Sequence, residues 1–131
     1  MNRIIHHSLR EEVNISRKLS ENKEKALKIA EIITAKKARD IVILDMRKVS
    51  GICDYFVICS GDSTTQVKAI YEEARRMCKK NMIKIRSFEI DQSSHWILVD
   101  FFDVILHIFL DETRKFYNLE YLWSTAKKIK T

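Results

Sequence analysis

At 131 residues, with 46% hydrophobic and 32% charged residues, two glycines and no proline, the chain has the composition of one globular domain able to bury its apolar surface without disulfides. A linker, a low-complexity protein and a disulfide scaffold are thereby excluded. The net charge of +6 invites a nucleic-acid reading, but residues 1–53 carry 12 Lys+Arg against 7 Asp+Glu and residues 124–131 add three lysines, whereas residues 54–123 carry 9 basic and 11 acidic side chains; the positive charge sits in the appendages, and the central module is not built to neutralise phosphates.

Residues 1–19 read as an N-terminal extension in which Ile5, Leu9 and Val13 recur every four residues, as in a weakly amphipathic helix. Glu11 and Glu12 and the lack of an apolar core argue against a signal or transit peptide at this start. From Ser20, read as an N-cap, to Lys37, the positions Ala26, Ile29, Ala30 and Ile33 keep a helical period, with Lys36 and Lys37 suited to a helix C-terminus. The consecutive apolar run Ile41 to Leu44, closed by Asp45, reads as a strand covered on both faces, and Tyr55 to Cys59 repeats it after a connection containing Gly51. Ser63 followed by Gln66 is a capping-box signal for a helix whose buried stripe is Val67, Ile70, Tyr71, Ala74, Met77 and Cys78.

Ile83 to Phe88 alternates as a strand at or near a sheet edge, and Glu89 to Ser94 reads as a polar loop. Trp96 to Val99 and Val104 to Leu110 flank a polar break at Asp100 and Asp103, the pattern of a β-hairpin. In the segment that follows, Leu119, Leu122 and Trp123 fall at i, i+3 and i+4, so a short helix folds back onto the sheet. Residues 124–131 read as a frayed basic tail. The expected architecture is α/β, a mixed five-stranded sheet flanked by helices, with one domain over residues 20–123. Cys53, Cys59 and Cys78 form no CxxC pair and are read as buried reduced thiols, no apolar run is long enough to span a bilayer, and the expected compartment is the cytoplasm.

Two stretches carry a family resemblance. The strand Asp54 to Gly61 runs into a serine and threonine turn; later come Trp96 to Asp100, the Asp103-Val104 strand with His107 and Phe109, and the tail Arg114 to Trp123, RKFYNLEYLW. In order and spacing these resemble the Iojap family, also called ribosomal silencing factor S, over about residues 41–123. The family usually has glycine where this chain has Ile90 and Phe102. The resemblance implies a compact relative of the nucleotidyltransferase fold that binds the fourteenth protein of the large ribosomal subunit, sterically blocks joining of the small subunit and damps translation when nutrients are scarce. The resemblance also implies a related organellar branch that acts in large-subunit assembly, and a homodimer when the protein is free. Onto this chain it carries Glu89, Trp96, Asp100, Asp103, Arg114 and Tyr117 as partner-binding positions, with the basic tails as peripheral contacts to ribosomal RNA. It implies no catalytic residue, cofactor or metal.

The residues leave a few sharper readings to weigh. The turn Ser60 to Thr65 lacks P-loop lysine and glycine spacing, and Asp100 and Asp103 bracket a turn where a nucleotidyltransferase needs closely spaced carboxylates, so capping outweighs phosphate binding and an active nucleotidyltransferase-like enzyme is the runner-up. His107, mid-strand, reads as buried and hydrogen-bonded sooner than as a metal ligand. One of Phe101 and Phe102 is hard to bury at a hairpin turn; Phe101 is weighed evenly between local core and an exposed interface anchor, and Trp123 leans to core.

Overall fold

Of the two runs read as covered on both faces, Tyr55 to Cys59 takes a central place in the sheet, whereas Ile41 to Leu44 lies one strand from the edge with Ile41 and Val42 only half-buried. The computed structural model describes residues 2–130, and their side chains except those of residues 2–9, 15, 16 and 18–20. Helix α1 (Asn2–Thr34) is followed by β1 (Arg39–Asp45), β2 (Tyr55–Gly61), α2 (Thr64–Lys80), β3 (Ser87–Ile90), β4 (Trp96–Asp100), β5 (Val104–Leu110), α3 (Asp111–Tyr117), α4 (Leu119–Leu122) and β6 (Lys127–Ile129). The sheet order is β3-β4-β5-β2-β1-β6, with β2 and β5 parallel and every other pair antiparallel. Every residue of β2 is buried, as are all of β5 but Leu110.

One face of the sheet lies under α1 and α2. Ala26, Ile29 and Ile33 of α1 and Val67, Ile70 and Cys78 of α2 pack with Val57, Cys59, Ile97 and Leu106 from alternate strand positions. The other face holds a smaller core in which Phe56, Ile58, Ile105 and Phe109 meet Leu119 and Trp123 from the C-terminal segment. That face is left partly open. The capping expectation at α2 holds: Gln66 N–H donates to Ser63 Oγ (3.1 Å). Gln66 also donates through Nε2 to the carbonyls of Lys36 and Lys37, tying the turn after α1 to the start of α2. Gly61 is needed for close approach, since a Cβ there would meet Val67 Cγ2 at 3.0 Å.

Several expectations are corrected. The first helix does not start at Ser20 but runs unbroken from Asn2 to Thr34, because no glycine or proline between forces an exit from helical geometry. Asn22 there donates to Asp54 Oδ2 (2.9 Å) and fixes the helix to the start of β2. Of the extension's apolar repeat, Val13 is exposed, and Ile5 and Leu9 lie outside the described side chains. The third strand begins at Ser87 and includes Glu89 and Ile90, so Ile83 to Arg86 is an extended lead-in and the polar loop starts at Asp91; its edge position is as expected. The tail is not frayed: Lys127–Ile129 pairs with β1, matching Ile129 to Ile43, and makes a sixth strand. Of the C-terminal apolar triad, Leu119 and Trp123 fold back, while Leu122 stays 67% exposed. The three cysteines are buried free thiols, as read from the sequence. Among the described residues no helix is long and apolar enough to cross a membrane.

Candidate functional site

The open face is built from β3, β4 and β5 beside α3, which packs on β5 and β2. Strand alternation puts Glu89, Leu98, His107 and Ile58 in one row across it, with Trp96 and Phe109 in the next row towards α3. Trp96 is sandwiched: its ring stacks on Phe109 with centroids 4.8 Å apart and meets Tyr117 at 4.9 Å. Trp96 Nε1–H donates to His107 Nδ1 (3.2 Å), which fixes the neutral imidazole with its proton on Nε2. His107 is 4% exposed and stands edge to face with Phe56 at 4.5 Å; burial pulls its pKa down to about 4. The ring is thus a neutral spacer that orients Trp96, although Nε2 finds no hydrogen-bond partner among the described residues.

Beside Trp96 lies a cleft of about 370 Å³ between the β3–β4 loop and α3, where Asp91 and Glu112 supply carboxylates and Trp96, Phe116 and Tyr117 supply rings. Asp91 is set by its backbone neighbours: Oδ1 accepts from His95 N–H (2.7 Å) and Trp96 N–H (3.1 Å), while Oδ2 accepts from Ser93 Oγ. Partial desolvation opposes its charge, but these hydrogen bonds prevail and hold the carboxyl below its usual range. The exposed apolar residues continue along α3 and α4 as Phe116 (82%), Tyr121 (78%) and Leu122. Exposed apolar side chains beside carboxylates are the composition of surfaces that partners cover. Among the described residues no group of three His, Cys, Asp or Glu side chains is placed to hold a metal ion.

The expected site residues divide into two groups. Glu89, Trp96 and Tyr117 share the open face. Asp100 and Asp103 stand at the opposite end of the hairpin, roughly 13 Å from Trp96 at about 3.3 Å per strand residue. Asp100 is buried and committed to the turn, where Oδ2 accepts from Arg86 Nη2 (2.7 Å) and Oδ1 from Phe102 N–H (2.7 Å). Asp103 is partly exposed, and its carbonyl accepts from the N–H groups of Asp54 and Tyr55. Phe101 is corrected outright: it is 0% exposed in the core under α1 and α2, and its neighbour Phe102 takes the solvent side. Phe102 does so with φ 79°, whereas Ile90 lies in a regular strand.

Arg114 is also inward. Nη1 donates to Ser60 Oγ (2.8 Å) and Nε to Glu120 Oε1 (2.9 Å), so the guanidinium is a strut joining β2, α3 and α4 and supports the site without presenting charge. Sequence reasoning missed Asp91, Glu112, Phe116 and Tyr121. The one available signal was apolar bulk out of place, since Phe116 and Tyr121 are large aromatic side chains in mostly polar surroundings.

Comparison with known proteins shows the family and the fold. The family described as "Ribosomal silencing factor during starvation", RsfS, matches residues 19–131. Ribosomal silencing factor RsfS of Bacillus subtilis (strain 168) is 42% identical over 106 residues, covering 80% of this chain and 90% of that protein. The Mus musculus protein named "Mitochondrial assembly of ribosomal large subunit protein 1" is 34% identical over 101 residues, 73% of this chain and 43% of its own. A crystal structure of a Chromobacterium violaceum protein superposes with a TM-score of 0.72 at 32% identity, covering 77% of this chain and 85% of that one. The chain belongs to the RsfS family of ribosomal silencing factors.

Proposed function

We propose that this protein is a ribosomal silencing factor that binds the large ribosomal subunit at its fourteenth protein and, by occupying that place, keeps the small subunit from joining and represses translation under nutrient limitation. The observation that carries the reading is the acidic and aromatic open face, Glu89, Trp96 and Tyr117 with the Asp91 and Glu112 cleft. Ribosomal proteins are basic, and such a face offers rings to desolvate and carboxylates to steer by. The action is steric, so the face needs only affinity and bulk, with no chemistry assigned to any residue. The protein acts in the cytoplasm, is a homodimer when free, and its basic ends, including exposed Lys127 and Lys128, lie against ribosomal RNA at the periphery of the contact. Its test is co-sedimentation with separated subunits: the protein travels with the large subunit and not the small, and in excess it lowers the yield of joined ribosomes. Equal association with both subunits contradicts it.

A second reading, assembly of the large subunit, is favoured by the name of the mouse relative. It uses the same face at an earlier stage. Cells lacking the protein would then accumulate immature large subunits, while a pure silencing factor would leave the subunit profile unchanged during growth.

A further inference from the structure

A second exposed apolar surface lies on the other side of the hairpin end and has the opposite charge. The C-terminal end of α2, the lead-in to β3 and the β4–β5 turn enclose a groove of about 510 Å³ whose floor is Met82, Ile83, Ile85 and Phe102. Its rim is cationic, with Arg75, Lys79 and Lys84, and none of its lining residues is acidic. An adjoining hollow shares Met82, Ile83, Lys84 and Phe102 and brings in Lys25 of α1. Ile83 and Ile85 rest on the core under α1 and α2, so the groove has a firm base and does not touch the open face.

Two of the floor residues are held against their own backbone preference. Met82 has φ 60° and Phe102 has φ 79°, in the left-handed region that a side chain with a Cβ resists. Both are also exposed, Met82 by 89% and Phe102 by 43%. Glycine would make either turn without strain and without showing apolar surface to water. Large apolar side chains kept at strained, exposed positions mark a site that a partner covers.

We propose that this groove docks an acidic amphipathic segment of a second protein, one bulky apolar side chain seated on Met82, Ile83, Ile85 and Phe102 with flanking carboxylates against Lys79, Lys84 and Arg75. Charge complementarity selects this occupant, since a basic or neutral segment would leave the cationic rim uncompensated. Single-stranded nucleic acid suits the floor less well: three of its four residues are aliphatic and give no stacking surface, and the Arg86 guanidinium already lies 5.5 Å from the Phe102 ring. The partner is distinct from the basic protein that the open face fits, so the protein can bridge two partners of opposite charge.

The test begins with peptide display selection on the full-length chain. Selected peptides are then measured by fluorescence anisotropy against wild type, a Lys79→Glu/Lys84→Glu variant and a Met82→Gly/Phe102→Gly variant, each checked for fold by circular dichroism. The expected result is a set of peptides with acidic residues around a bulky apolar one, bound roughly tenfold or more weakly by both variants. Large-subunit co-sedimentation of the same variants stays at the wild-type level, which keeps this outcome separate from that of the proposed function. Enrichment of peptides without acidic residues, no enrichment at all, or affinities indifferent to both variants would overturn the proposal. So would oligouridylate or phosphatidylglycerol vesicles binding the wild type and losing affinity in the charge variant while acidic peptides do not.

Discussion

The open face and the groove at the end of α2 are built from the same hairpin, yet they differ in every property that matters to a partner. On the open face the aromatic rings are seated: Trp96 is fixed by His107, Phe109 and Tyr117, and carboxylates stand at its edge. In the groove the apolar side chains are aliphatic or strained, and the charges around them are cationic. The central module's near balance of 9 basic and 11 acidic residues therefore hides two segregated patches. Net charge says little about partners when the two signs lie on opposite sides of a sheet.

The largest effect that sharpens this contrast is at Trp96. Replacing it with Ala removes the ring that holds Phe109, His107 and Tyr117 together, and should lower stability by about 3 kcal/mol in urea denaturation while abolishing large-subunit binding and sparing peptide binding in the groove. If groove binding fell equally, the two surfaces would not be independent.

The next effect is a pH dependence of stability set by a group on the open face. His107 has a folded-state pKa of about 4 against an ordinary value of 6.5. A depressed histidine means that the unfolded chain binds the proton more readily, so its contribution is constant above pH 6.5 and stability falls as pH drops from 6.5 to 4, by about 3 kcal/mol in all. Denaturation midpoints across that window check the slope. In His107→Leu the fall between pH 6.5 and 5 should vanish, leaving only the fall at lower pH that the depressed carboxyls Asp45, Asp91 and Asp111 supply, and a slope that persists above pH 5 would assign it to another group.

Smaller still is the cap. Ser63→Ala should cost about 1 kcal/mol in melting experiments and leave both surfaces intact, because Ser63 serves α2 alone. Smallest in stability is Glu89→Lys, an exposed change on β3 within about 0.5 kcal/mol. It should slow association with the large subunit most at low salt, read by stopped-flow mixing, and an unchanged rate would place the charge outside the contact.

Much of the fold was legible because its centre is written in uninterrupted apolar runs and in the Ser63 cap, signals that need no distant partner. What was not legible depends on parity and on distance in sequence. Phe101 and Phe102 are adjacent and chemically identical, and only the hairpin register, which pairs Asp100 with Ile105, sends the first inward. Arg114 reads as a surface charge until Ser60, 54 residues away, is brought beneath it. The sixth strand has a single informative residue, Ile129, set among lysines, too little for a period of two to show. Glu89, Trp96 and Tyr117 were carried over as partner-binding positions from the family resemblance, whereas the Asp91 and Glu112 rim exists only once a loop and a helix meet.

The central claim is that the open face, not the basic ends or the α2 groove, chooses the large subunit. Its most direct test is the binding of purified large subunits to a Glu89→Lys/Tyr117→Ala variant, with Lys79→Glu/Lys84→Glu as the matched control, both shown to melt as the wild type does. The account predicts at least roughly tenfold weaker binding for the first and wild-type binding for the second. Wild-type binding by the first variant, or loss by the second, would contradict it.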